Sequence, residues 1–120
     1  MARSLVVKLT AGTEEPERAN QAFTVAAAAV AAGAPVSLWL AGEAVWFAVP
    51  GRAETFDLPL ATPLAELRDV ITEAGRLSVC SQCAARRALT EDDVVPGAAI
   101  RGAARFVEEI LVDGVQALVY

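Results

Sequence analysis

The sequence predicts an α/β protein with three layers, in which helices cover both faces of a five-stranded, mainly parallel sheet. Short apolar segments typical of strands alternate along the chain with segments whose apolar residues recur at helical spacing. A glycine separates a predicted helix from the following strand at Gly33, Gly75 and Gly114. Repeated strand–helix–strand units favour parallel pairing, because each helix must cross over the sheet to reach the next strand.

The first part of the chain carries two predicted strands and two predicted helices. Ser4–Leu9 is an apolar run that only Lys8 interrupts, which suits a strand buried on both faces. Residues 16–32 follow as a helix, with a proline in the first turn and acidic residues near the positive end of the helix dipole. Residues 35–40 form the second strand, and residues 44–49 form a short apolar helix.

The middle of the chain carries a connection, a helix and a strand. A Pro-Gly pair breaks the apolar pattern, and residues 52–60 are an irregular connection. Thr62 is expected to cap the next helix, with Pro63 at its first position. Residues 77–80 then form a third strand. The apolar face of the helix is expected to consist of Leu64, Leu67, Val70, Ile71 and Ala74.

A short helix, a turn and a strand follow. Residues 81–88 are predicted to be helical, and residues 98–100 are a candidate fourth strand. Thr90 and Asp93 have the spacing of a capping box around one short turn between these two elements.

A last helix, residues 103–112, precedes the fifth strand, residues 115–120. Its charged residues alternate in sign, which is typical of a solvated helix face. We therefore expect Phe106, Val107, Ile110 and Leu111 to face inward and Arg105, Glu108, Glu109 and Asp113 to be more exposed.

Composition limits both the organisation and the chemistry. A chain of 120 residues that is 55% hydrophobic and 21% charged is expected to fold as one domain, residues 1–120. A net charge of −5 argues against nucleic acid as a partner. Histidine is absent, which excludes Ser-His-Asp and Cys-His catalysis. We see no signal peptide and no apolar stretch that could span a membrane, so we expect a cytoplasmic protein with reduced thiols.

The residues most suggestive of chemistry are the two cysteines, which form a C-x-x-C motif. Cys80 ends the third strand, and Cys83 lies in the first turn of the next helix. Sites of parallel sheets form at the carboxyl ends of strands, and a helix N-terminus stabilises a thiolate. Arg86 and Arg87 follow within one to two helical turns and could add a positive charge. Such a thiolate could attack a disulfide or persulfide, or hold a sulfur atom covalently.

Other interpretations of the motif are open. The two cysteines could be small core residues, because free cysteine is among the most buried residue types. The motif could also supply half of a four-cysteine zinc site shared by two subunits. Thioredoxin-type chemistry fits less well, because the aromatic and Gly-Pro neighbours typical of that motif are missing.

Four further residues are expected near the same edge of the sheet. Thr10, Gly12 and Thr13 follow the first strand and could shape a pocket beside the thiol. Gly12 is similar to a phosphate-binding turn, but the sequence has no G-x-G-x-x-G and no P-loop lysine, so we expect no nucleotide cofactor. Trp46 follows the second strand, where it could pack in the core, line a pocket or contact a second subunit.

Three segments of the chain resemble the DsrE/DsrF-like family of small sulfur-relay proteins, which includes the TusD-type subunits. The first segment is the turn at residues 10–18, which contains Glu-Glu-Pro-Glu-Arg and leads into an alanine-rich helix ending at Gly33. The second is Cys80 with the small residues after it and the Arg-Arg pair. The third is residues 97–120, which read as strand, helix and strand. The resemblance covers nearly the whole chain.

The resemblance implies a doubly covered parallel sheet of the flavodoxin-like topology class. It places the sulfur-carrying cysteine of the family on Cys80 and makes Cys83 auxiliary, or specific to a C-x-x-C branch. Ala88 stands where relatives commonly have glycine. The resemblance also implies oligomers and the transfer of a persulfide. We expect a homo-oligomer for a second reason, since a single layer of helices on each face of so apolar a chain leaves apolar surface for a partner.

The function that these observations favour is that of a small cytoplasmic sulfur-relay protein. It would carry sulfane sulfur as a persulfide on Cys80 and exchange it with sulfur donor and acceptor proteins. It would need no cofactor and no metal. The alternative is a non-catalytic oligomerisation or small-ligand-binding module with structural cysteines. The sequence does not decide between an enzyme and a carrier.

Overall fold

The computed structural model describes residues 3–120. Five strands form one sheet in the order β4-β3-β2-β1-β5, and every neighbouring pair is parallel. The predicted α/β class is therefore confirmed. The order differs from the 2-1-3-4-5 order of flavodoxin itself, while both folds have helices on the two faces of the sheet. The strands are β1 (Ser4–Leu9), β2 (Val36–Leu40), β3 (Arg76–Cys80), β4 (Ala98–Arg101) and β5 (Val115–Val119).

Each predicted helix is present, with bounds that differ by a few residues at most. The short helix predicted at residues 44–49 is a 3₁₀ helix at residues 42–48, and the short turn after Thr90 is a second 3₁₀ helix with the predicted capping box. The helices are α1 (Pro16–Ala31), α2 (Leu64–Ala74), α3 (Ser81–Arg86) and α4 (Ala103–Ile110), with 3₁₀ helices at Gly42–Ala48 and Glu91–Asp93. No helix within residues 3–120 is long and apolar enough to cross a membrane.

The start of α2 differs from the prediction that Thr62 caps it. The N-cap residue is Pro63, whose ψ of 130° keeps it outside the helix, and no side chain makes a capping hydrogen bond there. The side chain of Thr62 therefore stands one position too early to reach the first free N–H groups of the helix.

The chain builds the sheet outward from β1 to β4 and then returns to place β5 on the other side of β1. Because crossover connections are right-handed, this reversal puts α4 on the opposite face from α1 and α2. Successive side chains of β2 point to opposite faces of the sheet and contact different helices. Leu38 and Leu40 join the core cluster that contains residues of α1 and α2, whereas Ser37 and Trp39 contact α4.

The face between the sheet and the two long helices holds the main apolar core. Phe47 of the first 3₁₀ helix packs edge-to-face on Phe23 of α1, with ring centroids 5.8 Å apart. Phe56 packs on the ring of Phe47, with ring centroids 5.6 Å apart. These contacts hold residues 52–60 against the core. The sequence pattern predicted only that this connection is irregular.

Arg68 of α2 is buried, with 5% of its surface exposed. Its guanidinium donates two hydrogen bonds to Glu54, at 3.1 and 2.9 Å, and also bonds the carboxylate of Asp69. The hydrogen bonds from Arg68 lower the pKa of Glu54. This ion pair ties the connection at residues 52–60 to α2.

The orientation of α4 corrects the predicted faces of that helix. Val107 and Leu111, expected inward, are 45% and 74% exposed, whereas Glu109, expected outward, is only 9% exposed. The hydroxyl of Ser37 and the indole N–H of Trp39 donate hydrogen bonds to one oxygen of Glu109, at 2.7 and 3.0 Å. Phe106 and Ile110, also expected inward, are half-buried, so α4 buries the carboxylate of Glu109 beside them and leaves Val107 and Leu111 exposed.

Candidate functional site

The two cysteines lie together at the carboxyl edge of the sheet. Cys80 is the last residue of β3 and the N-cap of α3, and Cys83 lies in the first turn of that helix. Both thiols are free and half-buried. The helix starts without a loop after the strand, so the sulfur of Cys80 stands beside the first N–H groups of α3.

The surroundings of Cys80 favour its thiolate. Burial raises the pKa of the thiol, but the groups that act in the opposite direction prevail, and the pKa is lowered. The backbone N–H of Cys83 contributes most to this lowering, followed by the thiol of Cys83, the N–H of Gln82 and the positive charge of Lys8. Because no side chain makes a full capping hydrogen bond at this helix start, the N–H groups act mainly as nearby dipoles.

Lys8 is a site residue that the sequence analysis did not single out. It pairs with Trp39 in the register of the sheet, and Trp39 pairs with Ser78. Since side chains two residues apart share a face, Cys80 lies on the same face as Lys8. The ammonium of Lys8 stands 4.8 Å from the ring centroid of Phe106, which packs on Trp39. The signal that could have identified Lys8 is a lone charge in a strand expected to be buried.

Arg101 is a second residue that the sequence analysis did not place in the site. It is the register partner of Cys80 on β4, and its guanidinium donates a hydrogen bond of 2.7 Å to the hydroxyl of Ser78. The face beneath α4 thus brings two cations, Lys8 and Arg101, to the edge at which Cys80 stands. Only the pairing of strands distant in sequence creates this arrangement.

The arginine pair after the motif is directed elsewhere. The guanidinium of Arg87 donates to the carboxylate of Glu43 at 2.8 Å and to the carbonyl of Cys83 at 3.0 Å. The hydrogen bond from Arg87 is the main reason why the pKa of Glu43 is lowered. Arg86 is exposed on the last turn of α3. The cation that lowers the pKa of Cys80 is Lys8, so Arg87 connects α3 to the first 3₁₀ helix instead of activating the thiol.

The turn after β1 is held tightly by its neighbours. The hydroxyl of Thr10 donates to the carbonyl of Tyr120 at 2.7 Å, which fastens the end of β1 to the end of the chain. The N–H of Gly12 donates to the carboxylate of Glu14 at 2.7 Å. A Cβ on Gly12 would lie 2.8 Å from the carbonyl oxygen of Glu43, so only glycine allows this close approach.

Thr13 and Trp46 meet in a small pocket of about 100 Å³. Glu43 accepts a hydrogen bond from the indole N–H of Trp46 at 3.3 Å, and the guanidinium of Arg52 stacks 4.3 Å from the ring centroid of Trp46. Neither cysteine lines this pocket. The predicted residues therefore fall into two neighbouring groups, which the Glu43–Arg87 ion pair joins.

Metal ligands are not clustered in the part of the chain that the structure describes. Within residues 3–120, no three or more Cys, Asp and Glu side chains are placed to hold a metal ion.

The fold has counterparts among solved structures. It is similar to the ychN protein of E. coli, with a TM-score of 0.81, 15% sequence identity and 100% of both chains covered. It is also similar to a protein of unknown function from Methanobacterium thermoautotrophicum, with a TM-score of 0.68, 9% identity and 100% of both chains covered. Identities this low show a shared fold alone.

The sequence itself matches a protein family. No match was found among curated protein sequences. The sequence model of the DsrE/DsrF-like family, however, matches residues 3–117, which is nearly the whole chain and includes both cysteines. The resemblance inferred from three short segments is thereby confirmed, and the chain belongs to the DsrE/DsrF-like family.

Proposed function

We propose that this protein carries sulfane sulfur as a persulfide on Cys80. The observation that supports the proposal most directly is a free, half-buried thiol with a lowered pKa at the carboxyl edge of the sheet. A thiolate is the nucleophile in sulfur exchange, and partial burial protects a bound sulfur from solvent. Membership of a family that contains sulfur-relay proteins is consistent with this chemistry.

The proposed transfer is a pair of thiolate exchanges. The Cys80 thiolate attacks the outer sulfur of a donor persulfide, the sulfur–sulfur bond of the donor breaks, and the donor leaves as a thiolate. Cys80 then carries a persulfide anion, which the cations Lys8 and Arg101 on the same face of the sheet would stabilise. An acceptor thiolate takes the outer sulfur in the same way and regenerates the Cys80 thiolate.

Cys83 would discharge the persulfide when no acceptor arrives. Its thiolate attacks the inner sulfur of the Cys80 persulfide, which releases hydrosulfide and leaves a Cys80–Cys83 disulfide. The spacing supports this role, because the two residues share one turn at the start of α3. The disulfide would also protect Cys80 from further oxidation.

The test is to treat the reduced protein with glutathione persulfide and measure its intact mass. We expect one added sulfur on the native protein and on Cys83→Ser, and none on Cys80→Ser. The adduct on the native protein should decay to a disulfide, whereas the adduct on Cys83→Ser should persist in the absence of an acceptor. Failure of the native protein to form an adduct, or survival of the adduct in Cys80→Ser, would refute the proposal.

A non-catalytic module with structural cysteines is the competing function. It predicts that Cys80 in the native fold does not react with iodoacetamide and that Cys80→Ser changes no property beyond stability. The half-buried thiol with its lowered pKa argues for the carrier instead. Titration of the folded protein with iodoacetamide distinguishes the two functions.

We further propose that the protein forms a homo-oligomer through the outer surface of α4 and the adjacent edge of β5. Four of the seven large hydrophobic side chains that are exposed within residues 3–120 lie there, and an exposed apolar patch often marks a protein contact. A second copy that covered them would add a partner layer to the face that the eight-residue α4 covers. The residues concerned are Val107, Leu111, Val112 and Val119.

The proposed chemistry also bears on location and partners. Because each cycle begins with a reduced thiol, we place the protein in the cytoplasm, where thiols are kept reduced. Its partners would be proteins that present a donor persulfide and an acceptor thiol.

A further inference from the structure

A larger cavity, of about 370 Å³, opens at the end of the sheet opposite to the cysteines. The first residues of β1, β2, β3 and β5 line it, together with the end of α2 and the segment after α4. Neither Cys80 nor any other predicted site residue lies in its wall. The cavity is therefore separate from the proposed sulfur site, and any ligand for it must be inferred from its own lining residues.

A buried carboxylate faces this cavity. Glu109 lines it, and the side chain of Glu109 is only 7% exposed. One carboxylate oxygen, Oε1, accepts the hydrogen bonds of Ser37 and Trp39. The other, Oε2, is buried and accepts no hydrogen bond from residues 3–120. A buried acceptor without a donor is costly, so Oε2 is poised to receive an N–H or O–H group.

A guanidinium stands near that oxygen without hydrogen bonding to it. Arg76 lines the same cavity, and its Nη1 lies 3.6 Å from Oε2 of Glu109. Its side chain is 49% exposed, so its N–H donors can turn to a ligand. Arg105, four residues before Glu109 on α4, lies 3.7 Å from Oε2. A bare amine would suffer repulsion from both arginines, whereas a ligand that brings its own anionic group would pair with Arg76.

Aliphatic side chains share the rest of the wall with two serines and with backbone polar groups. Leu5, Val6, Val36, Val112 and Val115 all contribute to it. A few convergent polar groups in an apolar wall of this volume are typical of a site for a small organic molecule.

We propose that this cavity binds an apolar α-amino acid. Glu109 would accept a hydrogen bond from the ligand ammonium, Arg76 would bind the ligand carboxylate, and the aliphatic wall would enclose the side chain. A carboxylate and a guanidinium 3.6 Å apart match the ammonium and carboxylate that an α-amino acid carries on one carbon. The proposal does not depend on the sulfur chemistry of Cys80.

The test is isothermal titration calorimetry of the native protein with L-leucine and with two analogues that each lack one charged group. We expect L-leucine to bind and both 4-methylpentanoate, which has no ammonium, and 3-methylbutylamine, which has no carboxylate, to bind at least about tenfold more weakly. Absence of binding by L-leucine, or equal affinity for either analogue, would overturn the proposal.

Variants assign the binding to the cavity. Glu109→Gln keeps an oxygen for Ser37 and Trp39 but replaces the acceptor at Oε2, so we expect affinity for L-leucine to fall about tenfold or more. Glu108→Gln is the matched control, because Glu108 is exposed on the same helix and outside the cavity. Equal affinity of Glu109→Gln and Glu108→Gln would show that Glu109 does not bind the ligand.

Circular dichroism would reveal whether Glu109→Gln misfolds. A second variant tests the proposal independently of that outcome. Ala74 is exposed at the end of α2 and lines the cavity, so Ala74→Trp should fold while its side chain obstructs the cavity. Loss of L-leucine binding in folded Ala74→Trp supports the proposal, and native affinity in this variant contradicts it. Cys80→Ser should bind L-leucine with native affinity, which separates this test from that of the sulfur carrier.

Discussion

At the scale of single residues, the pKa of the Cys80 thiol depends on groups within its own motif and on one lysine from a distant strand. The thiol and backbone N–H of Cys83 lower its pKa more than Lys8 does, because Lys8 stands two strands away. We therefore expect two separable effects of Cys83, one as a hydrogen-bond donor that lowers the pKa of Cys80 and one, under the proposed function, as a nucleophile toward a persulfide on Cys80.

The donor effect of Cys83 can be measured in variants that keep Cys80 as their sole thiol. Replacing Cys83 by Ala removes the side-chain donor, so the pKa of Cys80 should rise and the thiolate should form at higher pH. Alkylation by iodoacetamide, measured against pH, should then have its midpoint at higher pH in Cys83→Ala than in the matched control Cys83→Ser, whose hydroxyl can still donate. Identical midpoints would show that the side chain at position 83 does not stabilise the thiolate.

At the scale of elements, an ion pair between the buried Arg68 and the half-exposed Glu54 helps to hold the connection at residues 52–60 in place. Two of the hydrogen bonds of Arg68 reach Glu54, which is far from it in sequence but adjacent in space. Both carboxylate partners, Glu54 and Asp69, are about half exposed, so removal of the arginine leaves them in contact with water. The cost of that removal is therefore moderate.

Arg68→Met should lower the free energy of unfolding by about 1–2 kcal/mol, because bidentate hydrogen bonds to a charged group are lost from a buried position. Urea unfolding measures this loss, and Arg18→Met is the control, since Arg18 is exposed on α1.

The pKa of Glu54 is lowered in the folded protein, so the stability that the pair contributes is present above the ordinary pKa of a glutamate. It is lost as the pH falls through the lowered pKa, and the difference between native protein and Arg68→Met should shrink there. A difference that grows on acidification would contradict this account.

At the scale of the whole molecule, the two faces of the sheet are covered unequally. Two long helices cover one face with an apolar core, whereas the eight-residue α4 covers the other over polar and charged side chains. The edge strand β5 and the outside of α4 consequently present aliphatic side chains to solvent, as expected for a contact between subunits.

Leu111→Lys should weaken self-association, because a charged side chain would have to be buried in the proposed interface. Static light scattering over a range of protein concentrations should give a lower mean mass for this variant than for the native protein. Leu60→Lys makes the same change at a fully exposed position in the connection before α2 and should retain the native mass. A native protein that is monomeric at all concentrations would refute the proposed interface.

Much of the fold could be predicted because strands and helices leave local signals. The apolar run of β1, the alanine-rich pattern of α1 and the glycines that precede β3 and β5 each depend on neighbours in sequence. The position of Cys80 at a strand end and of Cys83 in the next helical turn could be predicted for the same reason. The cap of α2 could not, since Thr62 and Pro63 both have residue types suited to a helix start and only the backbone geometry distinguishes them.

The amino-acid sequence by itself determined the fold class, the family and the placement of Cys80 and Cys83, because these depend on local periodicity and on a motif four residues long. Only the tertiary structure decided which charges are buried and which cation lies on the same face of the sheet as the thiol. The periodicity of α4 predicts that Glu109 is solvated. It is buried because Ser37 and Trp39 of β2 donate hydrogen bonds to its carboxylate. Proximity along the chain likewise favours Arg87 as the partner of Cys80. In the structure, parallel pairing places Lys8 on the same face of the sheet as the thiol, and Arg87 forms an ion pair with Glu43. Contacts between residues far apart in sequence set the energy of a buried charge, and the linear pattern does not encode them.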